Sequence, residues 1–399
     1  GEGGVISAGG VGFDISCGVR THLTGLKRAD IEQVQSKITD ALFHHVPVGL
    51  GSTGKIKLSN RQMSAMLKGG AAWALNEGYG DTRDLEFIEE RGRIPGARPE
   101  TVSEKARMRQ TREMGTLGSG NHFLEIQQVE EVYDESTADV LGLYPGQVTI
   151  SIHTGSRGFG YQVCDDYLKV MLKAARKYGI TLPDRQLCCA PLQSDEARSY
   201  LAAMACAANF AFANRQMITA GVRQTFAQVL GKGPSELRLG LVYDVCHNIA
   251  KWEKHRIAGQ ERRLCVHRKG ATRAFPPRHA EVPDAYRQIG QPVLIPGDMG
   301  RYSYVLTGTS GAYEETFGST CHGAGRVMSR HAAKKAARGH DLIGELAAQG
   351  VLVRAAGRAT VAEEMPEAYK DVADVVDVVH KAGIGHIVAR LKPLAVVKG

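Results

Sequence analysis

Apolar residues at helical spacing mark the first long pattern in the chain. Ile31, Val34, Ile38 and Leu42 recur three or four apart and predict a helix from about Arg28 to Leu42. A second helical pattern runs from Ser194 to Leu230. Ser194 stands at its N-cap, Asp195 and Glu196 fill its first turn, and Leu201, Met204, Ala208 and Ala211 read as core. Strict alternation appears instead from Gln147 to Ile152, where Val148, Ile150 and Ile152 share one face of a predicted strand. Apolar runs at Leu239 to Val245, Pro292 to Ile295 and Leu391 to Gly399 predict three more strands. A further strand is expected after Gly120, with His122 and Leu124 on one face and Phe123 and Glu125 on the other.

Residues 49–99 mix Gly, Lys, Arg and acidic side chains, so a mobile basic surface region is expected there. Lys55, Lys57 and Arg61 are its candidate phosphate contacts, with a plain solvated face as the alternative. The segment after Gly325 reads as a polar, helix-rich tail before the last strand. With no internal repeat, low-complexity tract or linker, one domain is expected over residues 1–399. The predicted class is α+β, a single large domain with central β-sheets and surrounding helices.

Composition narrows the field. The chain has 399 residues, 43% hydrophobic and 23% charged, ordinary for a soluble globular enzyme. No apolar run approaches the roughly 20 residues that span a bilayer, and no signal-peptide pattern opens the chain, so a cytoplasmic protein without a membrane partner is expected. The first residue is Gly rather than Met, which predicts a trimmed, processed or truncated start. A net charge of +8 suits a polyanionic partner such as nucleic acid. The eight cysteines are dispersed, as free thiols or metal ligands are in a reducing compartment, and the Cys188-Cys189 pair reads as structural.

The candidate chemistry sits in Gly-bounded loops, mostly at strand ends, where sheets gather ligands. Asp14 and Cys17, His122, His153 and His247 all share this context. The Gly115–Gly120 loop precedes its strand, the reverse of the dinucleotide fingerprint, which argues against a nicotinamide cofactor. Three imidazoles, one thiolate and one carboxylate suffice for two divalent ions with the thiolate shared. Ligand softness favours zinc, a carboxylate-bearing site with open positions also takes Mn²⁺, and the residues alone do not choose. His44, His255, His279 and His340 read as ordinary core or surface histidines.

One more stretch, Ser319 to Arg326, gathers Cys321, His322, Gly323, Gly325 and Arg326 ahead of a basic segment with Arg330, His331, Lys334, Lys335 and Arg338. Glycines let a ligand approach the backbone, and a guanidinium matches a phosphate with its fork of donors. Beside metal-bound phosphate, His322 is a candidate nucleophile, general base or further ligand. The plain alternative is a Gly-rich turn before a surface helix.

Taken in order, these motifs resemble a known family. Asp14-Ile-Ser-Cys17-Gly-Val-Arg20, Gly118-Ser-Gly-Asn121-His122-Phe-Leu-Glu125, His153-Thr-Gly-Ser-Arg157-Gly and Tyr243-Asp-Val-Cys-His247-Asn248 carry the first half. Pro296-Gly-Asp-Met-Gly300, Cys321-His322-Gly-Ala-Gly-Arg326-Val-Met-Ser-Arg330 and Val396-Val397-Lys398-Gly399 carry the second. Together they resemble the RtcB family of tRNA-splicing RNA ligases across nearly the whole chain. The resemblance implies a metal-lined cleft and an enzyme of tRNA splicing or RNA repair. Such an enzyme joins an RNA 3′-phosphate or 2′,3′-cyclic phosphate to a 5′-hydroxyl, using GTP and two Mn²⁺ ions. It implies that His322 is the catalytic residue that becomes guanylylated, that Cys17 bridges both metals, that His153 and His247 bind one ion, and that Asp14 and His122 bind the other. It also implies a guanylate pocket formed by Asn121, Glu125, Asn248, Pro296, Gly297, Asp298, Met299, Ser303, His322, Gly323, Ala324, Gly325, Tyr369 and Lys398. Arg157 and Arg326 are its expected phosphate contacts. RNA ends and GTP are the implied partners, with an archease-like activating protein as a third.

Two departures qualify these expectations. Members usually carry a further N-terminal segment with a Pro-Asp-Val-His stretch, so part of the fold or pocket is expected to be missing, supplied separately or trimmed. Asp298 stands where a small hydroxyl residue is expected, and a carboxylate there repels a phosphate unless it faces a metal, a lysine or a ribose hydroxyl. The alternatives are a metal-dependent cyclic phosphodiesterase without ligation and a non-catalytic RNA-binding protein.

Overall fold

The computed structural model describes residues 3–49, 52, 54 and 56–399. Its largest sheet has eight strands: β1 (Gly18–Lys27), β2 (Phe123–Val132), β3 (Gln147–Thr154), β4 (Leu241–Cys246), β5 (Pro292–Ile295), β6 (Ser303–Thr307), β7 (Leu352–Ala355) and β8 (His386–Lys398). The spatial order is β5-β6-β8-β2-β3-β1-β4, with β7 running parallel to β8 and every other neighbour antiparallel. The last strand is longer than its apolar run predicts, because it reaches back to His386 and lies at the middle of the sheet rather than at an edge. Tyr243 and Val245 of β4 and Leu294 of β5 share one apolar cluster, so the two edge strands curl towards each other.

One face of the sheet explains the alternation of β3. Val148, Ile150 and Ile152 pack with Leu124, Ile126, Leu394 and Val397 beneath two helices, α1 (Gln35–His45) and α2 (Asp195–Leu230), which contribute Ile38, Leu42, Ile218, Val222 and Phe226. The helix predicted from Arg28 is broken, with a single turn at Arg28–Ile31 and a 3-10 turn at Glu32–Val34 before α1. The helix α2 spans 36 residues, about 54 Å at 1.5 Å per residue. Ser194 Oγ accepts from the Ala197 amide at its start, and Gly231 (φ 64°) closes it in the left-handed region. Its alanines let neighbours approach on all sides, and most of its length from Ala197 to Phe226 is buried.

The described part of residues 49–99 is not a loose surface. Helices at Asn60–Gly69 and Ala71–Asn76 bury Met63, Met66, Leu67, Trp73 and Ala74 against Ala203, Phe210 and Ala213 of α2. Met63, Met66, Leu67, Ala71 and Ala74 follow a helical spacing, which the Gly69-Gly70 pair divides between two short helices. Lys57 and Arg61 are described; Lys55 lies outside the described residues. The tail after Gly325 is helical as expected and also adds a small core of its own, in which Ala333, Leu346, Val353, Val361 and Met365 pack on Phe123 and Met299.

Candidate metal centre and adjoining cavity

The antiparallel register collects the candidate ligands at one end of the sheet. Gly18 pairs with Thr154 and with Cys246, while Phe123 pairs with His153 and with Lys398. Residues at or just beyond these ends, namely Cys17, His122, His153 and His247, are therefore neighbours although they lie up to 230 positions apart (247 − 17). Backbone bonds lock the loops together: the His247 amide donates to Cys17 O at 2.9 Å, and the Ser16 amide to Asn248 O at 2.7 Å. Asp14 sits at the turn before Cys17, where its carboxylate Oδ1 accepts from the Ser156 amide at 2.9 Å. Arg157 reaches His122 Nδ1 at 3.2 Å across Gly118, where a Cβ would lie only 2.0 Å from the guanidinium. Arg157 is itself held at φ 54°, a left-handed conformation that costs a non-glycine residue energy and is typical of functional sites.

Two donor sets share one sulfur. Cys17 Sγ lies 3.3 Å from His153 Nε2, and that nitrogen lies 3.3 Å from His247 Nε2. On its other side the sulfur lies 3.4 Å from His122 Nε2, which lies 2.8 Å from Asp14 Oδ2. All five residues are buried or nearly so. Such separations suit donors around cations with bonds of roughly 2.0–2.3 Å. Hydrogen bonding accounts for them poorly: more lone pairs than protons converge here, and the Nδ1 atoms of His153 and His247 are buried without partners. The donor set therefore suits divalent cations, in two groups that both include Cys17.

Without a cation the electrostatics oppose the liganding state of the sulfur. Burial and the Asp14 carboxylate push the Cys17 thiol well above its usual range, and burial together with the neighbouring imidazoles pulls His153 and His247 well below theirs. Burial also works against Asp14, yet His122 and Arg157 outweigh it and keep the carboxylate ionised. A cation reverses the Cys17 preference, because it binds the thiolate directly.

The scaffold behind the cluster is a buried ion triad that sequence reasoning missed. Arg215, inside α2, donates to both Ser16 O and Thr154 O at 2.9 Å and pairs with Asp244 at 3.0 Å. Asp244 also holds Arg20 at 2.7 Å, and all three side chains are fully buried. Arg215 thus ties together the residues flanking Cys17 and His153. The available signal was the polar run Asn214-Arg215-Gln216 following the Ala-rich, mostly apolar first half of the helix.

His322 follows the short strand Ser319–Cys321, which pairs with Ala271–Arg273. Its ring stacks on His247 with centroids 3.5 Å apart and planes at 16°. Burial pulls it down to about 4, so it is neutral near pH 7, and its Nδ1 is buried without a partner. It borders a cavity of about 230 Å³. Asn121, Glu125, Pro296, Gly297, Asp298, Met299, Gly323, Ala324, Gly325, Tyr369 and Lys398 line this cavity, together with the metal candidate His153.

Two expected pocket residues stand elsewhere. Ser303 lies behind the wall, accepting from Gln127 Nε2 at 3.1 Å and from the Gly297 amide. Asn248 sits beside the metal loop and donates from its side chain to Asp14 O at 3.0 Å. Phe123, Arg330 and Glu364 line the cavity without having been expected there. Arg326 is also at the wall, but its donors are spent on Glu363 O, Glu364, Met328 O and the Tyr369 hydroxyl.

The charges in the cavity are unusual. Burial pushes Glu125 up to about 8 against the pull of Lys398, and burial lowers Lys398 itself. Burial likewise raises Asp298, whose Oδ1 accepts from the Gly300 and Arg301 amides at 3.0 Å while the buried Oδ2 makes no hydrogen bond. A cavity lined by a lysine and by the Gly323–Gly325 segment, and abutting the candidate metal ligands, is suited to a phosphorylated ligand.

Comparison with known proteins gives a consistent result. The family model described as tRNA-splicing ligase RtcB matches residues 2–399. A tRNA-splicing ligase RtcB of Archaeoglobus fulgidus is 56% identical over 396 residues, 99% of this chain and 82% of the relative. Those of Thermococcus kodakarensis and Aeropyrum pernix are 54% and 52% identical, covering 99% and 100% of this chain and 82% of each relative.

Proposed function

This chain belongs to the RtcB family, and from that premise we propose that it is a GTP- and Mn²⁺-dependent ligase joining RNA 3′-phosphate or 2′,3′-cyclic phosphate ends to 5′-hydroxyl ends. The observation that carries the reading is the position of His322, stacked on the metal-cluster residue His247 at 3.5 Å and open to a cavity that Lys398 floors. A neutral imidazole held at about 4 has its lone pair free at pH 7. Its nitrogen attacks the α-phosphorus of GTP, forming a P–N bond while pyrophosphate leaves. The RNA 3′-phosphate takes the GMP from His322, forming a P–O bond as the P–N bond breaks. The 5′-hydroxyl oxygen then attacks the 3′-phosphorus and releases GMP. A cyclic phosphate is first opened by water.

The protein groups have separate tasks. Asp14, Cys17, His122, His153 and His247 would hold two Mn²⁺ ions, which when bound supply Lewis-acid stabilisation of phosphoryl oxygens. Lys398 faces the phosphates from the cavity floor. Gly323–Gly325 let the nucleotide lie against backbone, and Asn121, Tyr369 and the ionisable Glu125 hold the purine and ribose. Asp298 Oδ2, which makes no hydrogen bond and lies 3.5 Å from the Arg301 guanidinium, suits a ribose hydroxyl better than a phosphate. Asn248 and Ser303 would act by positioning the metal loop and Gly297. On this reading the working compartment is the cytoplasm, where the Cys17 thiol stays reduced. An archease-like activating protein is a further proposed partner.

The test offers two RNA strands, one ending in a 2′,3′-cyclic phosphate and the other starting with a 5′-hydroxyl, with GTP and Mn²⁺. The expected product is a joined strand that requires GTP and is lost in Lys398→Ala. Opening of the cyclic phosphate without joining, unchanged in Lys398→Ala, would make the protein a phosphodiesterase instead.

A further inference from the structure

At the Asp14 end of the metal cluster, away from His322, two large aromatic rings face solvent. Phe13 directly precedes Asp14, and Tyr161 lies one turn beyond Arg157 on the helix Arg157–Lys177. Their rings stack with centroids 4.7 Å apart and planes at 25°. Phe13 is 39% exposed and Tyr161 48%, so the pair is not part of the core.

The pair is also tied to the metal loop. Asp14 Oδ1 accepts from the Ser156 amide at 2.9 Å, which binds the Phe13 segment to the start of the Tyr161 helix. Gly160, the residue before Tyr161, allows that approach: a Cβ there would lie 1.9 Å from Ser156 Oγ and 3.3 Å from the Ile15 amide nitrogen. Because the two rings ride on the segments that place Asp14 and Arg157, their position relative to the metal ligands is fixed.

The rim is basic. The Arg109 guanidinium lies 5.9 Å from the Tyr161 ring centroid, and Arg112 is exposed on the same short helix. The Lys269 stem runs alongside Gly12, and its ammonium donates to Gly9 O at 3.0 Å. The nearby carboxylates are engaged: Asp14 with Ser156 and His122, and Glu113 with the Gly158 amide at 2.7 Å. Exposed aromatics with a cationic rim are the chemistry of single-stranded nucleic-acid binding, since every base offers a π-face and each phosphate a charge.

We infer that Phe13 and Tyr161 form a stacking platform for an unpaired base of the RNA end that enters the metal centre. The inference rests on the ligase reading. A base stacked there places the adjoining phosphate or hydroxyl beside the Asp14–His122 ligands, while His322 and its cavity occupy the other side. Base stacking tolerates any sequence, so the platform fixes where an end lies without selecting what it reads.

The test is a binding titration of the full chain, loaded with Mn²⁺, against internally labelled single-stranded RNAs of about ten nucleotides, within the usual single-strand site sizes. One RNA carries a 5′-hydroxyl end and the other a 3′-phosphate end, so the two arms show which strand uses the platform. For that strand, Tyr161→Leu is expected to weaken binding about tenfold, and Tyr161→Trp to keep it within about twofold. Abasic substitution at one of the three terminal positions is expected to cost wild type about the same, with little added loss in Tyr161→Leu. Unchanged affinity in Tyr161→Leu with a wild-type melting temperature, or fully additive losses, would overturn the platform. A wild-type protein that binds neither RNA would instead overturn the ligase reading beneath it.

Discussion

A buried carboxylate whose second oxygen meets only the Arg301 guanidinium, at 3.5 Å, is the most local oddity of the site. Burial raises the Asp298 pKa, so ionising it costs the folded state more than the unfolded one. Its stabilising contribution is complete below the unfolded value near 3.9 and is lost as pH rises above it. Asp298→Ser removes that penalty and keeps a side-chain oxygen for the Gly300 and Arg301 amides. The variant is expected to melt higher than wild type at pH 7, with the gap closing towards pH 4, in melting curves recorded across that range. Only the family resemblance marked Asp298 as out of pattern. It did not reveal that Oδ1 is a turn cap, because that depends on the backbone from Pro296 to Arg301.

The elements show where legibility ends. The strand ends bearing His122 and His153 were readable, because each strand meets a glycine-rich loop there, whereas His247 was marked only by the end of an apolar run. The buried triad was not, since Arg20, Arg215 and Asp244 are 195 and 29 positions apart (215 − 20 and 244 − 215) and no local period joins them. Arg215 positions two loops through Ser16 O and Thr154 O, a task that needs the planar guanidinium. Arg215→Lys is expected to weaken Mn²⁺ binding about tenfold or more, as loss of outer-shell support does, in calorimetric titration of the metal-free protein. Unchanged metal affinity would reduce Arg215 to a purely structural role. Asn248 and Ser303 illustrate the same limit: the family resemblance implied them in the pocket, and only the folded structure places their side chains on Asp14 O and Gln127.

At the scale of the whole molecule the α+β class and a centre built of strands followed from the pattern, whereas the packing of residues 49–99 did not. Met63, Met66, Leu67, Ala71 and Ala74 carry a helical spacing, but Gly69-Gly70 splits it into two short helices that α2, more than a hundred positions away, holds in place. The far edge of the fold carries its own acid sensitivity. Glu253 bonds His255 at 3.1 Å and Arg268 at 2.5 Å, and although burial opposes it, these partners hold the carboxylate at about 2. A depressed value stabilises the fold above the unfolded pKa and is lost as pH falls from about 4 to 2. Glu253→Gln is expected to lose about 3 kcal/mol at pH 7 by urea denaturation, the difference shrinking as pH falls through that window.

The account turns on His322 as the group that carries GMP. Incubation with Mn²⁺ and GTP labelled at the α-phosphate, followed by denaturation and peptide mapping, reads this directly. The predicted result is acid-labile label on the peptide containing His322, released when an RNA 3′-phosphate is added and absent in His322→Ala. No label on wild type, or equal label on His322→Ala, would contradict it.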